Sequence, residues 1–190
     1  MKEKTQVADV DRAFYDFRFD EDESDFLGTG LTPEMIGEIS AEKNDPEWMR
    51  KFRLHSLEVY RKLEMPQWGP DISGLDMDNI VTYIRPKKRM QSDWDSVPDD
   101  IKQTFEKLGI PQAERESLAG VGAQYDSELV YHNVRKEVAE SGVVYTDLES
   151  AMHDERYAEM IRSHFMKLVP PTDHKFAALH GAVWSGGSFV

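Results

Sequence analysis

The sequence predicts an α+β chain, mostly helical with a few short strands, and three observations predict it. Apolar residues recur at three- and four-residue spacing in several segments, most of them opened by a capping residue or a proline and several closed by glycine or proline. Short β-rich runs bounded by turn residues lie between them. No repeat at 20–50-residue spacing points to a solenoid. A chain of 190 residues has room for one domain, or one domain plus part of another.

Residues 1–45 hold 13 acids and 5 bases, a net of −8, and the densest run is Asp20-Glu21-Asp22-Glu23-Ser24-Asp25. Such a run repels itself, so residues 1–27 read as an exposed, disordered acidic arm. Four aromatics in it, Phe14, Tyr15, Phe17 and Phe19, are unusual for a pure spacer and leave a docking role open. Order is expected from Leu31. Thr32 can cap a helix that has Pro33 in its first turn and Met35, Ile36 and Ile39 as its inner stripe. The next helix opens with Asp45 as cap, Pro46 and Glu47; Met49, Phe52, Ser56, Val59, Tyr60 and Leu63 then share one face until Pro66. Arg50, Lys51, Arg53, Arg61 and Lys62 on its other side read as a solvated basic face.

Beyond Pro66 come turns and one β-rich run, Ile80-Val81-Thr82-Tyr83-Ile84, followed by a dense basic spot of Arg85, Lys87, Lys88 and Arg89. Helical periodicity resumes over 98–108, and Pro111 starts another short helix. The stretches 121–126 and 128–132 read as two strands with the bend at Asp126-Ser127, followed by a helix over 134–140 and a strand over 142–145. Thr146-Asp147-Leu148-Glu149 has the form of a capping box. A longer helix is expected to follow, with Tyr157, Met160, Ile161, His164, Phe165 and Leu168 on one face. A last helix over 173–184 would bury Phe176, Leu179, His180 and Val183. Ser188-Phe189-Val190 reads as the unpaired beginning of a strand, so the chain is expected to be the N-terminal piece of a longer protein.

Charge and composition exclude some function classes. With 23 Lys and Arg against 36 Asp and Glu the net charge is −13, which opposes phosphate backbones and anionic membranes. No stretch approaches the ~20 apolar residues of a membrane helix, and the N-terminus lacks the apolar core of a signal peptide. The cytoplasm is therefore the expected location. The absence of cysteine from these residues removes thiolate nucleophiles and thiolate ligands. No phosphate loop, dinucleotide turn or serine elbow is present. That leaves the histidines. His153, Asp154 and Glu155 are consecutive and diverge on a helix. His164 lies on an apolar stripe and reads as a core histidine. His174 and His180, six apart, diverge rather than chelate. No catalytic, cofactor-binding or metal-binding residue is assigned.

Several segments are more specific than their physics requires. Asn44-Asp45-Pro46-Glu47-Trp48-Met49 with Arg53-Leu54 opens the set, and Phe105-Glu106-Lys107-Leu108-Gly109-Ile110-Pro111 and Leu118-Ala119-Gly120-Val121 follow. Gln124-Tyr125-Asp126-Ser127-Glu128, Val130-Tyr131-His132 and Lys175-Phe176-Ala177-Ala178-Leu179-His180 lead into Trp184-Ser185-Gly186-Gly187-Ser188-Phe189-Val190. From Leu31 to the last residue this set, in order, resembles the start of the SufB type of the SufB/SufD family, scaffold subunits of the SUF iron–sulfur cluster assembly system. The acidic arm has no counterpart in the resemblance.

The resemblance implies an N-terminal, mostly helical domain (28–168) leading into a parallel β-helix core, of which 169–190 would be the start. It implies a scaffold rather than an enzyme, working with the ATPase SufC and with SufD or a second SufB. The iron–sulfur cluster is expected on the full-length family member, none of whose cluster-building positions fall in this segment. A SufD-type paralogue is the near alternative; the 46–63 helix and the 124–128 run favour SufB. From other classes, a free-standing acidic adaptor and a small His/carboxylate metal hydrolase are the rivals.

Overall fold

The computed structural model of the chain describes residues 24–86, 102, 120–125, 128–134 and 136–190, with side chains over 27–84, 102 and 136–190. The expected helices over 98–108 and 111–120 lie outside the described residues, apart from helical Lys102. Most of the acidic arm, residues 1–23, and the basic residues Lys87, Lys88 and Arg89 also lie outside them.

Helix α1 (Pro33–Glu42) forms as its start signals direct. The Thr32 hydroxyl accepts the Met35 N–H at 3.2 Å, and Met35, Ile36 and Ile39 are buried together with Ser40. Helix α2 (Glu47–Lys62) follows after a four-residue link and is the longest described helix. It differs from expectation at its cap. Pro46 occupies the cap position and no side chain caps the helix, because the Asp45 carboxylate turns to Arg53 instead. Its buried face is Met49, Arg53, Ser56, Leu57 and Tyr60. Phe52 and Val59 sit half-buried beside it.

Strand β1 (Ser24–Phe26) pairs antiparallel with β2 (Ile84–Pro86), Asp25 opposite Arg85. Pairing therefore begins at Ser24, ahead of Leu31. The expected strand over 80–84 is displaced toward the C-terminus and reduces to a single parallel bridge between Gly30 and Val81. Gly30 has φ +74°, its N–H donates to the Ile80 carbonyl at 2.9 Å, and a Cβ there would lie 3.0 Å from the Asp78 carbonyl oxygen. Only glycine fits that approach.

Strands β3 (Gly120–Tyr125) and β4 (Glu128–Val134) make the expected hairpin, with a register shift at Ala123/Gln124. Helix α3 (Lys136–Glu140) is shorter than expected, because Val134 belongs to β4. The stretch 142–145 is not a strand; the short β5 (Thr146–Asp147) takes its place. The capping box is not formed. Asp147, not Thr146, caps α4 (Leu148–His153) by accepting the Ser150 N–H at 2.7 Å, and Glu149 is engaged elsewhere. The expected long helix is broken at 154–157, so α5 (Ala158–His164) is a separate element. After a loop, α6 (Lys175–Val183) leads to β6 (Ser188–Phe189).

That last strand corrects an expectation. Ser188 and Phe189 are paired antiparallel with Asp147 and Thr146, the Leu148 N–H donates to the Gly187 carbonyl at 3.1 Å, and the Phe189 ring stands 4.9 Å from that of Tyr157. Among the described residues the architecture is thus helix-rich α+β with three two-stranded antiparallel ladders.

Two apolar clusters hold these elements together. One gathers Ile36, Ile39, Leu57, Tyr60, Tyr83, Ala178 and Ala182 from α1, α2, α6 and the segment before β2. The other gathers Met49, Ala151, Met152, Ile161 and Trp184, with Phe52 and Phe165 against them. Helix α6 buries Ala177, Ala178, Gly181 and Ala182 against its neighbours; of the larger residues expected, Leu179 and Val183 pack half-buried on the first cluster, Phe176 is half-buried and His180 is exposed. The reason is distance: a Cβ on Gly181 would sit 2.6 Å from Ser56 Oγ, so only small residues let the helices meet.

Candidate functional site

The polar residues of α2 and α6 join the two helices at both ends. Arg53, which the sequence places on the solvated basic face, is fully buried and has the opposite role. Its Nε donates to Asp45 Oδ2 at 2.6 Å, with both side chains excluded from solvent. A second nitrogen donates to the Ala182 carbonyl at 3.3 Å and the Trp184 carbonyl at 2.9 Å. The guanidinium also lies 4.8 Å from the Trp184 ring centroid. These carbonyls belong to the C-terminal turn of α6, where the helix dipole favours a cation.

Lys175, in the first turn of α6, does the same for α2. Its ammonium donates to the Tyr60 and Leu63 carbonyls, both at 2.8 Å, and stands over the Tyr60 ring at 4.3 Å. The helices run antiparallel, each ended by a cation from the other. The remaining basic residues of α2, Arg50, Lys51, Arg61 and Lys62, are exposed as expected.

A second set of polar contacts fixes the exit from α6. Glu149, freed from the capping box, accepts from Lys43 Nζ at 2.8 Å and from the Gly186 N–H at 3.0 Å. The indole N–H of Trp184 points at Met49 Sδ, 3.2 Å away. The path of residues 184–189 is thus set from both sides.

The histidines fall differently from their sequence reading. His153 is exposed, and neighbouring Asp154 is held by Arg156 at 2.6–3.1 Å, which draws its carboxyl down to about 2. His164 is not a core residue; it is exposed, with Nδ1 2.9 Å from the Met160 carbonyl and from Ser163 Oγ. His174 and His180 do not diverge. They line one hollow of about 420 Å³ together with His164, Lys167, Leu168 and Phe176. His174 caps α6 by accepting the Ala177 N–H on Nδ1 at 3.2 Å, which sets its ring outside the helical register. That cap is what the spacing argument missed. His180 keeps part of its surface open, and its pKa is pushed below the ordinary imidazole value, first by burial and then by the charge of Arg53.

Among the described residues, no three His, Cys, Asp or Glu stand close enough to hold one metal ion. No described helix is long and apolar enough to cross a membrane. What the arrangement provides is a braced helical unit with a fixed exit path, beside an apolar hollow rich in imidazole.

Comparison with known proteins places this unit. Over nearly its whole length the chain is similar to iron–sulfur cluster assembly proteins of the SufBD family. It is 48% identical over 186 residues, 97% of the chain, to the iron–sulfur cluster assembly protein SufB of Bacillus subtilis. It is 50% identical over 186 residues to a SufBD family protein of Staphylococcus epidermidis, and 48% identical over all 190 residues to one of Staphylococcus aureus. The chain spans 39–40% of the length of these relatives. No family model matches it. The resemblance read from its residues is therefore shown by identity over nearly the whole chain.

Proposed function

We propose that the chain is the N-terminal part of a SufB-type scaffold for iron–sulfur cluster assembly and that its contribution is architectural. The observation that carries this reading is the 48–50% identity over 97–100% of the chain to SufB and SufBD-family assembly proteins. Cluster iron is held mainly by thiolates, and these 190 residues contain no cysteine. The reading assigns the cluster to the remainder of the scaffold. It assigns ATP hydrolysis to a SufC partner, and a companion position to SufD or a second SufB, in the cytoplasm. In it, the braced α2–α6 pair and the fixed 184–189 segment set how the chain enters the scaffold core.

Anaerobic reconstitution with iron and sulfide tests the ligand assignment: the 190-residue chain should gain no cluster absorbance. Removing the equivalent residues from a full-length protein of this type should lower complex stability or cluster yield without changing nucleotide hydrolysis by its ATPase partner. A coloured, cluster-bearing 190-residue chain, or a deletion without effect, overturns the reading.

A further inference from the structure

Two hollows adjoin on the side of the molecule where α5 and the loop after it meet α6. The hollow of about 420 Å³ described above shares His164 with a second of about 290 Å³, which is lined by Met160, Ile161, Phe165 and Phe189. The apolar rim is open to water: Leu168 is 99% exposed, Met160 54% and Val169 52%. A continuous apolar patch of this kind marks a contact surface. Its charge is equally unusual. The chain has 36 acidic residues, yet among the described residues neither hollow is lined by one. Lys167 supplies a fixed positive charge and the imidazoles supply N–H donors; Asp173, 3.8 Å from His174 Nε2, is the acid beside them.

We propose that this groove is the docking site of the chain's own segment 9–23. That segment lies outside the described residues, and its composition is complementary to the groove. Phe14, Tyr15, Phe17 and Phe19 offer aromatic rings for apolar hollows, and the segment's seven acids against two arginines suit a lining whose one fixed charge among the described residues is that of Lys167. The tether is long enough. Residues 14–23 span up to about 33–36 Å when extended, comparable to the ~34 Å width of a 100-residue domain. The anchor is also close to the right helix: Leu27, just after β1, packs on the cluster that contains Ala178 and Ala182 of α6.

Trypsin cleavage at Arg12 and Arg18 in the full 190-residue chain, compared with a free peptide of residues 7–26, tests the proposal. Docking predicts cleavage slower by about tenfold or more at low salt, since proteolysis follows the open population, with protection fading as salt rises. Lys167→Glu and Leu168→Asp change exposed side chains, and their melting temperatures verify the fold. Each should restore most of the peptide's cleavage rate. Cleavage of the wild-type chain as fast as the peptide overturns the proposal. Protection that survives both substitutions does so too, because the segment is then held elsewhere. Protection that grows with protein concentration makes a second copy the occupant and overturns the intramolecular assignment.

Discussion

Helices α2 and α5 both carry an apolar stripe at helical spacing, and they end in opposite situations. Helix α2 lies against the small residues of α6, with Arg53 closing the C-terminal turn of α6 and Lys175 that of α2. Helix α5 buries only Ile161 of its stripe, while Met160 stands open and Leu168, expected in line with it, falls in the loop beyond its end. Periodicity tells which residues a helix can bury, whereas a neighbour decides whether it does. Close approach needs glycine or alanine on the partner, and α6 supplies them to α2 and, through Ala178 and Ala182, to the cluster that holds Ile36 and Ile39 of α1.

Breaking the α2–α6 side should have the largest effects. Arg53→Ala leaves the Asp45 carboxylate buried without its partner and the α6 carbonyls without their donor. Loss of one member of a buried pair costs about 3–5 kcal/mol, much of a domain's ~5–15 kcal/mol, so chemical denaturation should find this variant unfolded or nearly so. Phe52→Ala removes a half-buried ring stacked edge-on to Phe165 at 5.2 Å. A loss near the low end of the ~3–5 kcal/mol for such truncations is expected, whereas Lys51→Ala, on the solvated face, should change stability by less than ~0.5 kcal/mol. Gly181→Ala forces the new methyl onto Ser56. Overpacking of this kind costs about 1–3 kcal/mol, and adding Ser56→Gly should recover part of it in a double-mutant cycle.

On the α5 side the effects should be small. Leu168→Asp is expected to leave the melting temperature unchanged within error, because the side chain is almost wholly in water already. The smallest effect expected is a pH slope. The folded-state pKa of His180 lies below the unfolded value, so its contribution is complete above pH 6.5 and is lost as pH falls from there through the folded pKa. His180→Gln should flatten the stability profile over that range.

How much of this was legible in the residues depended on whether the deciding contact was local. The cap at Thr32 and the pairing of the runs 121–126 and 128–132, observed as Gly120–Tyr125 with Glu128–Val134, are decided within a few residues and are legible in them. The role of Arg53 is not legible because the carbonyls it meets, those of Ala182 and Trp184, lie 129 and 131 residues away. Nothing in a helical wheel distinguishes an arginine aimed at water from one aimed at another helix's last turn. The capping box failed for the same reason: Glu149 has a better partner in Lys43, 106 residues distant. The strand ending at Phe189 looked unpaired because its partner is only two residues long and carries no strand signal of its own. The hollow lined by His164, His174 and His180 could have been suspected only by noticing that a histidine just before a helix can cap it.

The Arg53 contact also has a consequence in time. A ribosome adding about 5–20 residues per second completes Arg53 some 131 residues before Trp184, on the order of 6–26 s earlier. Through that interval α2 has no α6 to lie against, and Met49, Leu57 and a guanidinium without its α6 carbonyls face whatever the cell offers them. Part of the most deeply buried surface of the finished unit is thus exposed on the nascent chain until α6 arrives.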